Sequence, residues 1–263
     1  MTWLAWRQQR GATLAIAVLA VVFVSAVLSF RVAGAHGEVW AWLLVVILLP
    51  ELAGMLVGAP LFAREFERGT VRLVWTQGIT RRRWFAVQVG WALGAVLVGE
   101  AIAQAAVSVV GPLPPGDMQP ITFDLSGILP LAVALFAVAL GLCCGAVLRR
   151  TVASMLVALV LVTGAQVAIQ TLARPRYLAP LTAITTTTPT QQRLGPRGSW
   201  VLSESPLSLP TACTVNYRCS QRFAIAYQPA SRFWQFQLFE SGIYVALAAL
   251  AVGVAWIAVR RRA

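Results

Sequence analysis

Hydrophobic positions in this chain run in long unbroken stretches, and the polar positions are confined to the gaps. Six stretches, at about residues 11–30, 39–63, 84–111, 127–148, 152–172 and 241–259, approach or exceed the roughly 20 residues that a helix needs to cross a bilayer. The pattern predicts an all-α integral membrane protein with six transmembrane helices. Residues 11–172 hold the first five, residues 1–10 form an interfacial helix before them, and residues 241–263 hold the sixth with a basic C-terminus. Two gaps are long: residues 63–84, and residues 173–240, an extracytoplasmic loop domain.

Composition agrees with the pattern. Hydrophobic residues make up 59% of the 263 and charged ones only 11%, against about a quarter charged in an ordinary globular domain. Mean hydropathy is +0.75. The net charge of +12 does not form a nucleic-acid patch, because the basic residues flank the apolar stretches instead of sharing a face. With Arg7 and Arg10 placed inside, thirteen of the 21 basic residues fall on the inner side and one, Arg31, in the short outer connections. The other seven lie between Arg174 and Arg232, in a loop too long to count toward orientation. Both termini are expected in the cytoplasm and the protein in the plasma membrane, against its lipids. A cleaved signal peptide is the rival for the N-terminus, but the first stretch exceeds the 7 to 15 residues of such a core and Arg31 sits in the would-be cleavage region.

Every basic residue is arginine. A Walker A loop needs a lysine on the nucleotide phosphates, so a chain without lysine cannot build one. If ATP drives this protein, a partner subunit binds ATP and magnesium; no cofactor is expected in this chain. The single histidine, His36, and the lack of H-E-x-x-H or G-x-S-x-G motifs suggest no catalytic or metal site.

Polar residues inside the apolar stretches are the candidates for function. Glu51 follows Pro50 about 13 residues into the second stretch, where a kink is expected, and Glu100 has a comparable depth in the third. Acids there are costly against lipid. Glu100, Gln104 and Ser108 recur every fourth residue, as do Gln166 and Gln170 behind Thr163, so each set lines one helix face. The stripes read either as a translocation path, built on Glu51, Glu100, Gln104, Gln166 and Gln170, or as hydrogen-bonding glue between helices. Gly54 with Gly58, Gly90 with Gly94 and Gly141 with Gly145 have the spacing for close helix approach, a weak signal in so Gly-rich and Ala-rich a chain.

Residues 63–84, AREFERGTVRLVWTQGITRRRW, carry eight charges. Phe62 and Phe66 let the second helix run past the bilayer until Gly69 ends it. Thr70 can cap a short crosswise helix with Val71, Leu73 and Val74 on its apolar side, closed by Gly78, and Thr80 can cap the third transmembrane helix. Such an element suits docking on another protein, though a solvated connector is the plain alternative. Trp3, Trp6, Arg7 and Arg10 suit an interfacial helix, or an anchored frayed end. In the loop domain, holding seven of the 14 prolines and the threonine run Thr185 to Thr188, little regular structure is expected beyond short helices. Its aromatic end, from Tyr227 to Phe236, is expected along the outer membrane surface. Five residues separate Cys213 from Cys219, which permits a local disulfide or leaves two neighbouring thiols. Cys143 and Cys144 read as small apolar packing residues.

The segments TWLAWRQQR, AREFERGTVRLVWTQGITRRRW and YQPASRFWQFQLFE resemble the actinobacterial ABC-2-type permeases, over essentially the whole chain. That resemblance implies the membrane half of an ATP-binding-cassette transporter, an exporter, working with a separate ATPase subunit and a second permease copy. It implies ATPase coupling through Arg64, Glu65, Glu67, Arg68, Gly69, Thr70 and Arg72. A scaffold or immunity-type protein and an ion-coupled carrier using the buried carboxylates are the alternatives.

Overall fold

The computed structural model describes residues 48, 50–69, 80–110, 116–187, 195–207 and 221–261. The first hydrophobic stretch, the interfacial helix, the crosswise helix with Thr70 and Arg72, and the Cys213–Cys219 pair lie outside them.

Helix α1, Ala59–Glu67, continues a helical segment from Pro50 through a wide π-turn at Gly54–Gly58. Pro60 has no N–H to donate back along the helix, and the wide turn accommodates it, with the Ala59 amide bonding Gly54. Gly69, at φ 68°, stops the chain just past α1, as its sequence position predicts. Helix α2, Arg81–Val110, starts on a Thr80 cap whose hydroxyl accepts the Arg83 amide at 3.4 Å. Short helix α3, Pro120–Asp124, precedes α4, Leu129–Leu148, and α5, Thr151–Ala168. A second π-turn, Ile169–Ala173, and a tight turn, Arg174–Arg176, extend α5. Helix α6 is Phe233–Arg261.

Four helices among the described residues are long and apolar enough to cross a membrane: Arg81–Ala105, Leu129–Leu148, Thr151–Arg176 and Ala230–Arg261. Of these α4 is the most apolar and the most enclosed. It packs against α1, α2, α5 and α6. Small residues make this possible. A β-carbon on Gly141 would lie 2.2 Å from the Gly54 carbonyl, and one on Gly58 2.6 Å from the Val138 carbonyl. Two of the three glycine pairs therefore pack α4 on the π-turn and α1, while Gly90 and Gly94 have no described atom within reach.

Two sequence expectations change here. The long loop holds a sheet: β1, Leu181–Thr187, β2, Trp200–Pro206, and β3, Gln221–Gln228, in the antiparallel order β1-β3-β2. The fold is thus mostly helical with a small sheet. Thr185 to Thr187, from the run read as irregular, form the end of β1, since β-branched residues favour extended backbone, and Ala183 stands opposite Ile225. The last helix also begins eight residues early. Phe233 and Phe236 are buried, with Phe233 on Phe123 and Phe236 on Tyr177, while Trp234 stays exposed. Helical periodicity turns alternate rings of this aromatic segment inward, where an extended surface path would have left them outside.

Candidate functional site

Two arrangements gather the polar groups, one at each end of α5.

At the start of α5 the chain passes from α4 in two residues. Arg149 adopts the left-handed conformation at φ 57°, its amide returning to Gly145, and Arg150 is extended. The Thr151 amide at the new helix start has no partner within its own helix. Glu67, at the end of α1, accepts both that amide and the Thr151 hydroxyl. These bonds hold the Glu67 carboxyl below its ordinary value. The Arg149 guanidinium lies 4.8 Å above the Phe66 ring. The α4–α5 turn thus grips the last turn of α1. Of the expected coupling residues, Arg64, Glu67, Arg68 and Gly69 are exposed and Glu65 partly so, and Thr70 and Arg72 lie outside the described residues.

Toward the other end, a cavity of about 30 Å³ lies between the helices. Its polar lining is Glu100 and Gln104 from α2, Asp124 from α3, Gln166 and Gln170 from α5 and its π-turn, and Glu240 from α6. A water needs about 10–15 Å³ of such space, so the space between the described residues suits a water or two. Glu100 is buried, and Gln104 donates to its Oε1 at 3.1 Å. Glu51, 2% exposed, meets Gln166 and lies within electrostatic reach of Glu100. Its Oε2 has no hydrogen-bond partner among the described residues. All five residues of the predicted path are therefore gathered here, Glu51 just behind the lining. Thr163 and Ser108 point away and are exposed.

Sequence reasoning missed three of the charged groups. Arg174 is 3% exposed; its Nε donates to Glu240 Oε2 at 2.8 Å and its Nη2 to Glu240 Oε1 at 2.6 Å. The same Nη2 donates to Asp124, and Gln170 donates to the other Asp124 oxygen at 3.1 Å. Burial pushes the Asp124 carboxyl up to about 6, with Arg174 opposing and Glu240 adding. Glu240 carries the same signal as Glu51 and Glu100, an acid within an apolar helix, but it shows only once α6 is started at Phe233.

Residues 29–174 match the family described as ABC-2 membrane transporter related. That stretch is more than half of the chain. The chain belongs to the ABC-2 membrane transporter related family. The match takes in Glu51, the Glu67–Thr151 grip and most of the cavity, and ends at Arg174. Membership with the four apolar helices makes this a multi-pass membrane protein and a transporter permease component. No curated protein and no solved structure matches the chain.

Proposed function

We propose that this chain is the permease subunit of an ATP-driven exporter, that it hydrolyses nothing itself, and that it pairs with a second permease copy and a separate ATPase subunit that binds ATP and magnesium. The family match carries this reading. The gripped end of α1 supports it, because the charged segment that would receive the ATPase is joined there to α5. The absence of lysine supports an ATPase in another chain. Exposed Arg64 and Arg68 would face the ATPase, with Glu65 beside them, and Gly69, Thr70 and Arg72 would continue the surface. Both termini and this segment would then lie in the cytoplasm and the sheet outside, in the plasma membrane.

The test is purification from native membranes in mild detergent, with mass spectrometry of what accompanies the chain and ATP hydrolysis measured on the same sample. A stoichiometric ATPase that is lost on Arg64→Glu with Arg68→Glu is the expected result. A preparation with no nucleotide-binding partner, under conditions that keep other transporters whole, overturns the reading. One observation favours a second reading, an ion-coupled carrier: the cavity is lined by three carboxylates and sized for water. That reading predicts transport without nucleotide and its loss on Glu51→Gln or Glu100→Gln.

A further inference from the structure

At the end of the cavity from which the chain leads to the sheet, two lining carboxylates share one cation. They are Asp124 and Glu240, both held by one guanidinium from a third element. Arg174 also lies 4.7 Å above the Phe123 ring, so the cation is packed on one face and bonded along its edge. Beyond it the chain runs directly into the sheet. Gln228 donates to the Leu178 carbonyl at 2.7 Å, and Arg232 donates to the Ala179 carbonyl at 2.7 Å. The four residues after Arg176 are thereby fixed between the turn and β1.

We propose that Arg174 is the bolt of a gate that shuts the polar cavity toward the sheet. The bolt is two-state because its ion pairs are buried, Arg174 and Glu240 both lying out of solvent. Once the guanidinium leaves hydrogen-bond distance, two carboxylates are left without their cation, and water must enter to solvate them. The π-turn Ile169–Ala173 directly before Arg174 supplies the motion. A π-turn holds one residue more than an α-turn, and its conversion rotates the next residues of the helix by about 100°, the angle of one α-helical residue. Such a rotation carries the Arg174 side chain off Glu240 while α5 stays in place. Arg174 is a positioning residue here, since it contacts no cargo. The gate rests on the transporter reading, and on the sheet facing outward.

The experiment labels whole cells with a membrane-impermeant thiol reagent. Ser203→Cys, exposed on β2, reports orientation, and Gln104→Cys, on the cavity wall, reports the gate. Each is compared with the parent chain, so that native cysteines are subtracted. Gln104→Cys is expected to react slowly in the parent background and at least about tenfold faster with Arg174→Gln, because a broken buried ion pair strongly favours solvation of the carboxylates it leaves behind. Arg174→Lys keeps the charge but cannot bond both carboxylates in the same fork; it gives an intermediate rate and serves where the glutamine variant does not fold. Unchanged slow labelling of Gln104→Cys in a folded variant overturns the gate, as does fast labelling in the parent. A purely structural staple would lower the melting temperature and leave labelling below that temperature unmoved. Failure of Ser203→Cys to react on intact cells, with reaction after lysis, overturns the outward placement of the sheet and with it the gate's direction.

Discussion

Glu67 accepts both the backbone amide and the hydroxyl of Thr151, 84 positions further along the chain, and so caps a helix to which it does not belong. An N-terminal amide of α5 is satisfied by the last turn of α1. Thr151→Val keeps the side-chain shape and removes the hydroxyl; Glu67→Gln keeps the length and removes the charge. If the chain works with the proposed ATPase subunit, both are expected to leave insertion and ATPase binding intact while ATP hydrolysis loses its dependence on transport, measured as activity with and without a working permease in reconstituted vesicles.

The same bond has a pH signature. The folded carboxyl titrates below its ordinary value of 4.5, so its contribution is present above that value and lost as pH falls through the lower folded one. The melting difference between the parent and Glu67→Gln is therefore constant near neutrality and disappears only in acid below the usual carboxylate range. A difference already vanishing between pH 6 and 7 would contradict the assignment.

The glycine pairs separate cleanly. Gly141→Ala places a methyl against a backbone carbonyl at 2.2 Å, which cannot move like a side chain, and overpacking of this kind costs about 1–3 kcal/mol or more. Gly94→Ala meets no described atom and should stay within about 0.5 kcal/mol, as surface changes do. Thermal unfolding in detergent distinguishes the two.

Gln237 is fully buried, and all four of its side-chain hydrogen bonds are made. Its oxygen accepts the amides of Ile128 and Leu129 at 3.1 and 2.9 Å, and its nitrogen donates to the carbonyls of Phe123 and Ser126, each at 3.1 Å. It is the cap of α4, supplied by α6. Gln237→Leu should cost roughly 3 kcal/mol, since several buried groups lose their partner at about 1–3 each. Gln237→Glu should recover little of it, because a carboxylate cannot serve the two carbonyls.

Which features are legible in the sequence depends on how local their causes are. The apolar stretches, the stop at Gly69, the cap at Thr80 and the placing of Glu100 with Gln104, and of Gln166 with Gln170, on one helix face each come from spacing along a single helix, whereas the meeting of these faces with Glu51 does not. Nor do Arg174, Asp124 and Gln237. Arg174 is read in sequence as one of several loop arginines, and only the convergence of α3, α5 and α6 makes it a buried partner to two acids. The sheet is hidden for a similar reason: a strand is specified by the strand that pairs with it, and β1 has its partner about 40 positions away.

Asp124, outside the membrane-spanning helices, offers a spectroscopic check. Its folded pKa of about 6 lies above the ordinary 3.8, so the protonated form is favoured by folding. Its stabilising effect is complete below the ordinary value and is lost as pH rises through about 6. The infrared difference between the parent and Asp124→Asn should contain a protonated carboxyl band that fades across that midpoint. A band gone by pH 4 would place the proton elsewhere.

The partners of Arg174 have a consequence for how the protein is made. Its strongest partner, Glu240, and the cap of α4, Gln237, both sit on α6, which leaves the ribosome after α3, α4 and α5. Until α6 arrives, the nascent chain holds α4 without its cap and a guanidinium without its carboxylate fork. A chain that stops before α6 should be recognised and destroyed by membrane proteases, and supplying α6 as a separate polypeptide should rescue it.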